Sequence, residues 1–123
     1  MKDEEKQPQD LKVRTTGFAL RIIRLYAALP KTTQAQVLGK QVLRSGTSVG
    51  AQYREGHRAK SDADVINKFE GVLQELDETE YWLELLVKSG TVSEKTLESL
   101  IKEKNELISI FVTIVTSLKR KRK

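Results

Sequence analysis

The stretch that decides the fold is Ser45–Leu86, SGTSVGAQYREGHRAKSDADVINKFEGVLQELDETEYWLELL. Its first part, Ser45 to Gly56, is rich in small residues, with Gly46 and Gly50 four apart. On a helix that spacing puts both glycines on one face, where a neighbouring backbone can come close. Its second part is an apolar ladder, Ile66, Phe69, Leu73, Leu76, Glu80, Leu83 and Val87, in steps of three and four. Such a stripe belongs to a helix that meets other helices. Two long helices packed tightly together account for the segment.

Working outward, two more helices are legible. Upstream, Phe18, Ile22, Leu25, Tyr26 and Leu29 follow helical spacing from a start between Asp10 and Thr16, and Pro30 ends the run. The next helix starts near Thr33, with Gln36 placed three residues on as in a capping box, and runs to about His57. The third opens at Ser61, with Asp64 in the capping-acid position, and closes at Lys88-Ser89-Gly90. Downstream, Leu97, Leu100, Lys104, Leu107, Phe111, Ile114 and Leu118 continue the same spacing from about Ser93, widened by Ile101, Ile108 and Val115. Ile110 to Thr116 is rich in β-branched residues, but it continues the heptads and has no second strand to pair with. Short connections favour antiparallel neighbours. The pattern predicts an all-α, up-down-up-down antiparallel four-helix bundle over residues 11–118. A disordered polar tail (1–10) precedes it and a basic tail (119–123) follows. The expected core includes Ile66, Phe69, Leu73, Leu76, Leu83, Leu100, Leu107, Phe111 and Leu118.

A chain of 123 residues makes one domain. It has no cysteine, which excludes disulfides, zinc-thiolate sites and thiol catalysis and suits a reducing, cytoplasmic setting. MKDEEKQPQD has no apolar core of the kind a secretory signal needs. The longest apolar-leaning run, Leu107–Leu118, falls short of the roughly 17–25 residues of a membrane span. The formal charge is +5, and Lys119–Lys123 alone supplies five positives. The remainder is neutral but polarised: Leu11–Lys60 holds ten basic residues and one acid, Glu55, whereas Ser61–Leu118 holds five basic and twelve acidic. That split points to a basic surface for an anionic partner, or to an oligomer in which opposite faces meet.

Catalytic chemistry finds little footing. His57 is the only histidine, so Glu-x-x-His di-iron motifs on two helices are excluded, and its default role is a solvated or capping residue. Ser45 and Ser48 have no evident base. Gly46-x-x-x-Gly50 lacks the Lys-Ser/Thr ending of a phosphate loop. Glu75, Asp77, Glu78, Glu80 and Glu84 read as a solvated acidic face, or as partners for the basic half, before they read as an acid–base or metal site. Gln52 and Glu55 share a face with Ser48 and are expected to join a structural network with the third or fourth helix, with a ligand site as the alternative. Tyr81 and Trp82 point about 100° apart. Either a broad face buries both within the monomer, or one lies at a subunit contact.

Ser48-Val49-Gly50-Ala51-Gln52-Tyr53-Arg54-Glu55, then Ser61 with Asp64, then Glu78-Thr79-Glu80-Tyr81-Trp82-Leu83, resemble the signature of the bacterial 23S rRNA intervening-sequence proteins. That family includes the accessory protein of diversity-generating retroelements. The departures are mild: the position of Gln52 is commonly asparagine there, and that of Gly56 often alanine. The resemblance spans about Leu20 to Leu118. It implies a four-helix bundle assembled into a ring-like homopentamer. It also implies, from the retroelement relatives, partnership with nucleic acid and a reverse transcriptase through a basic surface. It carries over no catalytic residue.

The resulting expectation is a cytoplasmic, non-enzymatic homo-oligomer, a pentamer by resemblance, with neither cofactor nor metal. It would bind RNA or DNA through Arg14, Arg21, Arg24, Lys40, Arg44, Arg54, Arg58, Lys119, Arg120, Lys121, Arg122 and Lys123. A protein–protein scaffold, whose basic half faces neighbouring subunits, is the alternative. An enzyme with a carboxylate site ranks last.

Overall fold

The computed structural model describes residues 2–122, with side chains from 11 to 121. Four helices make up the fold: α1 (Lys2–Ala28), α2 (Thr33–His57), α3 (Asp62–Lys88) and α4 (Glu94–Arg122). Neighbours in sequence are antiparallel neighbours in space. Gly39 lies against Tyr26 and Leu29 while Gly50 lies against Thr15. Arg44 meets Glu78 while Lys68 meets Glu55. Lys104 meets Glu80 while Lys119 meets Glu70. Arg14 reaches Glu103 and Arg21 reaches Ser99, so α1 and α4 close the bundle.

Helix ends follow local chemistry. Ser61 Oγ accepts from the Asp64 amide at 3.1 Å, and Ser93 Oγ accepts from Thr96 at 3.2 Å. Gly90 adopts φ 79°, the left-handed conformation that lets the Thr91 and Val92 amides return to the Leu86 carbonyl. Two expectations change. The α2 cap is Thr32, whose Oγ1 accepts from Ala35. No capping box forms, because Gln36 turns away to donate to the Pro30 carbonyl and to accept from the Tyr26 hydroxyl. Helix α1 begins at Lys2, ahead of the expected start. The side chains of the polar 1–10 segment lie outside the described residues.

The core is one cluster drawn from all four helices. At one end Tyr53, Phe69 and Phe111 pack ring to ring, with centroids 5.2–5.9 Å apart. On α3 the buried stripe is Ile66, Phe69, Val72, Leu76, Thr79, Leu83 and Leu86. The expected ladder therefore sits one residue off in places. Leu73 and Val87 are only half-buried, as is Leu118 on α4, because α3 turns Val72, Thr79 and Leu86 into the core instead. Thr79 is tolerated there because its hydroxyl bonds Ser45 Oγ and the Glu75 carbonyl, both at 2.8 Å. The two charged rungs, Glu80 and Lys104, meet each other: Nζ of the buried Lys104 donates to Glu80 at 2.8 Å. The Gly46–Gly50 face serves α1 rather than α3. A Cβ on Gly46 would stand 2.7 Å from Ile22 Cγ1. On the α3 side a close approach falls at Gly71, where a Cβ would collide with the Gln52 carboxamide.

Candidate nucleic-acid interface

Helix α2 carries its cations along one outer stripe. Lys40, Arg44, Thr47, Ala51, Arg54 and Arg58 succeed one another at helical spacing, opposite the buried Val42, Val49 and Tyr53. The stripe spans about 27 Å at 1.5 Å per residue. Thr47 and Ala51 keep its middle low, so nothing bulky stands between the charges. Lys40 and Arg58 are exposed and form no ion pair among the described residues, although after Lys68 the Arg58 charge also helps to hold the Glu55 carboxyl below its usual range. Arg54 donates to Thr16 Oγ1 at 2.9 Å, which keeps its charge uncompensated and fixes its position over α1.

The other expected contacts divide. Arg14 forks onto Glu103 at 2.7 and 3.0 Å and reaches Glu106 at 2.8 Å, so two carboxylates neutralise it. Arg44 bonds Glu78 at 2.7 Å and stands 3.7 Å from Glu75. The Glu78 hydrogen bond raises the arginine's pKa and lowers the glutamate's. Lys119 pairs with Glu70 at 2.6 Å and Lys121 with Asp62 at 3.4 Å. These two lysines fasten the last turns of α4 to the start of α3. Arg21 donates to Ser99 at 2.6 Å. Arg24 is exposed on the outer face of α1, away from the α2 stripe, and Arg120 is exposed near the end of α4. The side chain of Arg122, and Lys123 altogether, lie outside the described residues. Lys60 had no place in the sequence expectation. It is exposed in the α2–α3 turn beside Arg58, and proximity to that residue is the signal that could have found it.

The polar face behind the stripe is structural. Gln52 approaches Glu75 at 3.5 Å, and Glu55 accepts from Lys68 at 2.8 Å, so both reach α3 as expected. Burial raises the Glu75 pKa more than the Arg44 charge lowers it. The Glu75 Oε1 atom is buried without a hydrogen-bond partner among the described residues. Tyr81 is exposed while Trp82 packs half-buried against the core. His57 is exposed and stacks on Tyr53, with centroids 5.6 Å apart. Among the described residues no cluster of three His, Cys, Asp or Glu side chains forms a metal cage. Nor is any helix long and apolar enough to cross a membrane.

Comparison with curated proteins gives no match. Among solved structures, a protein described as being of unknown function, from the S23 ribosomal protein family of Bacteroides thetaiotaomicron, superposes with a TM-score of 0.83. It shares 39% sequence identity, over 89% of this chain and 97% of that one. The family model for the 23S rRNA-intervening sequence protein matches residues 9–113, which takes in all of α2 and α3 and most of α1 and α4. The chain belongs to the 23S rRNA-intervening sequence protein family.

Proposed function

We propose that this chain is a cytoplasmic, non-enzymatic, homo-oligomeric bundle that binds RNA or DNA through the outer face of α2. The observation that carries the reading is the stripe from Lys40 to Arg58, where Lys40, Arg54 and Arg58, outside any ion pair among the described residues, flank a low surface of Thr47 and Ala51. Phosphates spaced along a nucleic-acid backbone suit such a track. Arg14 and Arg44 serve the fold first, since carboxylates of the same chain hold them. Lys119 and Lys121 add weaker, end-on attraction. A ring of subunits would repeat the stripe, and avidity would then make modest single contacts useful. The resemblance implies five subunits, and a ribonucleoprotein that includes a reverse transcriptase is the setting it favours.

The test is a mobility-shift titration of a generic RNA hairpin and a DNA duplex between about 50 and 200 mM salt. Affinity is expected to fall steeply with salt. Changing Lys40 and Arg58 together to glutamate is expected to weaken binding to every sequence alike and to flatten the salt slope by about one per lost contact. Deleting Lys119–Lys123 is expected to weaken it less, without unfolding the bundle. If the intact protein shifts neither probe at about 50 mM salt, the scaffold reading replaces this one. That alternative draws on one observation, the exposed apolar side chains Val13, Leu20 and Ile23 on α1.

A further inference from the structure

Helix α1 is apolar on two opposite sides. Leu11, Phe18, Ile22 and Leu29 are buried in the core, while Val13 (69% exposed), Leu20 and Ile23 face solvent. Val13 and Leu20 are seven apart and the exposed Ala27 is seven further, so they form a straight outward stripe about 21 Å long. A helix that is apolar all round is normally covered on both sides. Across the molecule, α3 and α4 leave a hollow of about 460 Å³, floored by Leu83, Val87 and Ile101 and edged by Glu94 and by the ion pairs Glu80–Lys104 and Glu84–Lys88. Half-buried Ile108 and exposed Val112 prolong its apolar floor along α4, about 16 Å from Ile101 to Val112.

We infer that this hollow receives the outer stripe of α1 from a second copy of the chain. Two features select that occupant. The stripe and the hollow are both unfilled and lie on separate sides of one molecule, so only another copy can join them. Their free charges are complementary: on α1 Lys12 and Arg24 are exposed with no ion-pair partner among the described residues. At the hollow Glu94 and the adjoining Glu98 are exposed, with no ion-pair partner among the described residues. Arg24, which flanks the stripe, therefore belongs to this contact and not to the nucleic-acid face. Joining two different patches makes a heterologous contact, which closes into a ring when the rotation allows. The α2 stripe lies outside it and stays free.

The inference rests on the proposed homo-oligomer but is separable from it. Sedimentation at micromolar concentration is run on the wild type, on Leu20→Glu, on Ile101→Glu and on an equimolar mixture of the two variants, with circular dichroism as the folding control. Each variant alone is expected to sediment as a monomer with unchanged helicity. The mixture is expected to form a one-to-one dimer and stop there, because one intact stripe meets one intact hollow and neither end can extend. Val13→Glu and Val112→Glu, at exposed positions, repeat the experiment should either first variant unfold. Variants that assemble as the wild type does, or a mixture that stays monomeric, overturn the docking surface and leave the oligomer standing. A monomeric wild type overturns both.

Discussion

Between α2 and α3 the helices meet through small side chains and hydroxyls. Gly71 lies under the Gln52 carboxamide, Ser45 bonds Thr79, and Val72 and Leu76 fill the space below. Between α1 and α4 the approach is much sparser, and long polar side chains span it: Arg14 to Glu103 and Glu106, Arg21 to Ser99. Small residues let backbones close up and let dispersion and burial do the stabilising. Where the helices stand apart, a guanidinium fork bridges them with directed, charge-assisted bonds. The first seam is bound mainly by shape, with the ion pairs of Arg44 and Lys68 at its rim, and should respond little to salt, whereas the second is bound partly by charge.

The largest expected effect probes the shape-bound side. Leu76→Ala removes a fully buried side chain from α3 and should cost about 2–5 kcal/mol in urea unfolding. Leu73→Ala, three positions earlier and only half-buried, should cost clearly less. Equal costs would mean that the stripe centres on Leu73 after all. The next effect probes the other seam. Arg14→Ala strips two carboxylates of their shared partner and should cost about 1.5–3 kcal/mol, the range for hydrogen bonds to charged groups. Lys119→Ala breaks an exposed pair and should cost only about 0.2–1 kcal/mol. Raising the salt should abolish the second loss and leave much of the first, since part-buried charges are screened less.

Helix number and order, and both ends of α3, were legible in the sequence because each rests on neighbours within a few residues, whereas the start of α1 and the cap of α2 were not. Ser61 caps its own helix and Gly90 ends the same one. The face of α3 was legible only to within one position. Hydropathy favours Leu73 over Thr79, and the Ser45 and Glu75 groups that make Thr79 acceptable come from another helix and from the backbone. Glu80 and Lys104 looked like two faults in two apolar ladders; 24 positions apart, they answer each other. The basic stripe on α2 is visible from spacing alone. Which cations keep their charge is not, because the acids that neutralise Arg14 lie 89 and 92 positions away. Sequence thus named the cations, and only folding sorts those that hold the bundle from those that face outward.

A smaller effect tests close approach itself. Gly46→Ala places a methyl 2.7 Å from Ile22 Cγ1, inside normal contact. Overpacking costs about 1–3 kcal/mol, partly offset by the ~1 kcal/mol gain in helix propensity over glycine. Gly17→Ala on the neighbouring α1 meets nothing within 4 Å and should simply stabilise by ~1 kcal/mol. Thermal unfolding should therefore move in opposite directions, down for Gly46→Ala and up for Gly17→Ala. Two upward shifts would show that Ile22 yields freely and that the α1–α2 contact is not tight.

The smallest effect lies at the polar rim of the α2–α3 seam and depends on pH. Burial raises the Glu75 pKa, with Arg44 opposing and Glu78 adding to the rise. A carboxyl whose folded pKa exceeds its unfolded one favours folding while protonated, and that contribution is lost as pH rises through the folded value. At neutral pH the ionised Glu75 is thus a burden on the fold. Glu75→Gln should raise the melting temperature at pH 7, and the gain should shrink as the pH falls below the ordinary glutamate range, where wild type is protonated too. Glu78 has the opposite sign. Its hydrogen bond from Arg44 holds its pKa down, so its contribution is present above the ordinary glutamate pKa and disappears in acid. Glu78→Gln should therefore lower the melting temperature at pH 7 and matter little in acid. Adjacent carboxylates whose amide substitutions shift stability in opposite directions at pH 7 would separate the cost of burial from the benefit of pairing. If Glu75→Gln destabilises at pH 7, the 3.7 Å attraction to Arg44 outweighs desolvation, and this seam too is held partly by charge.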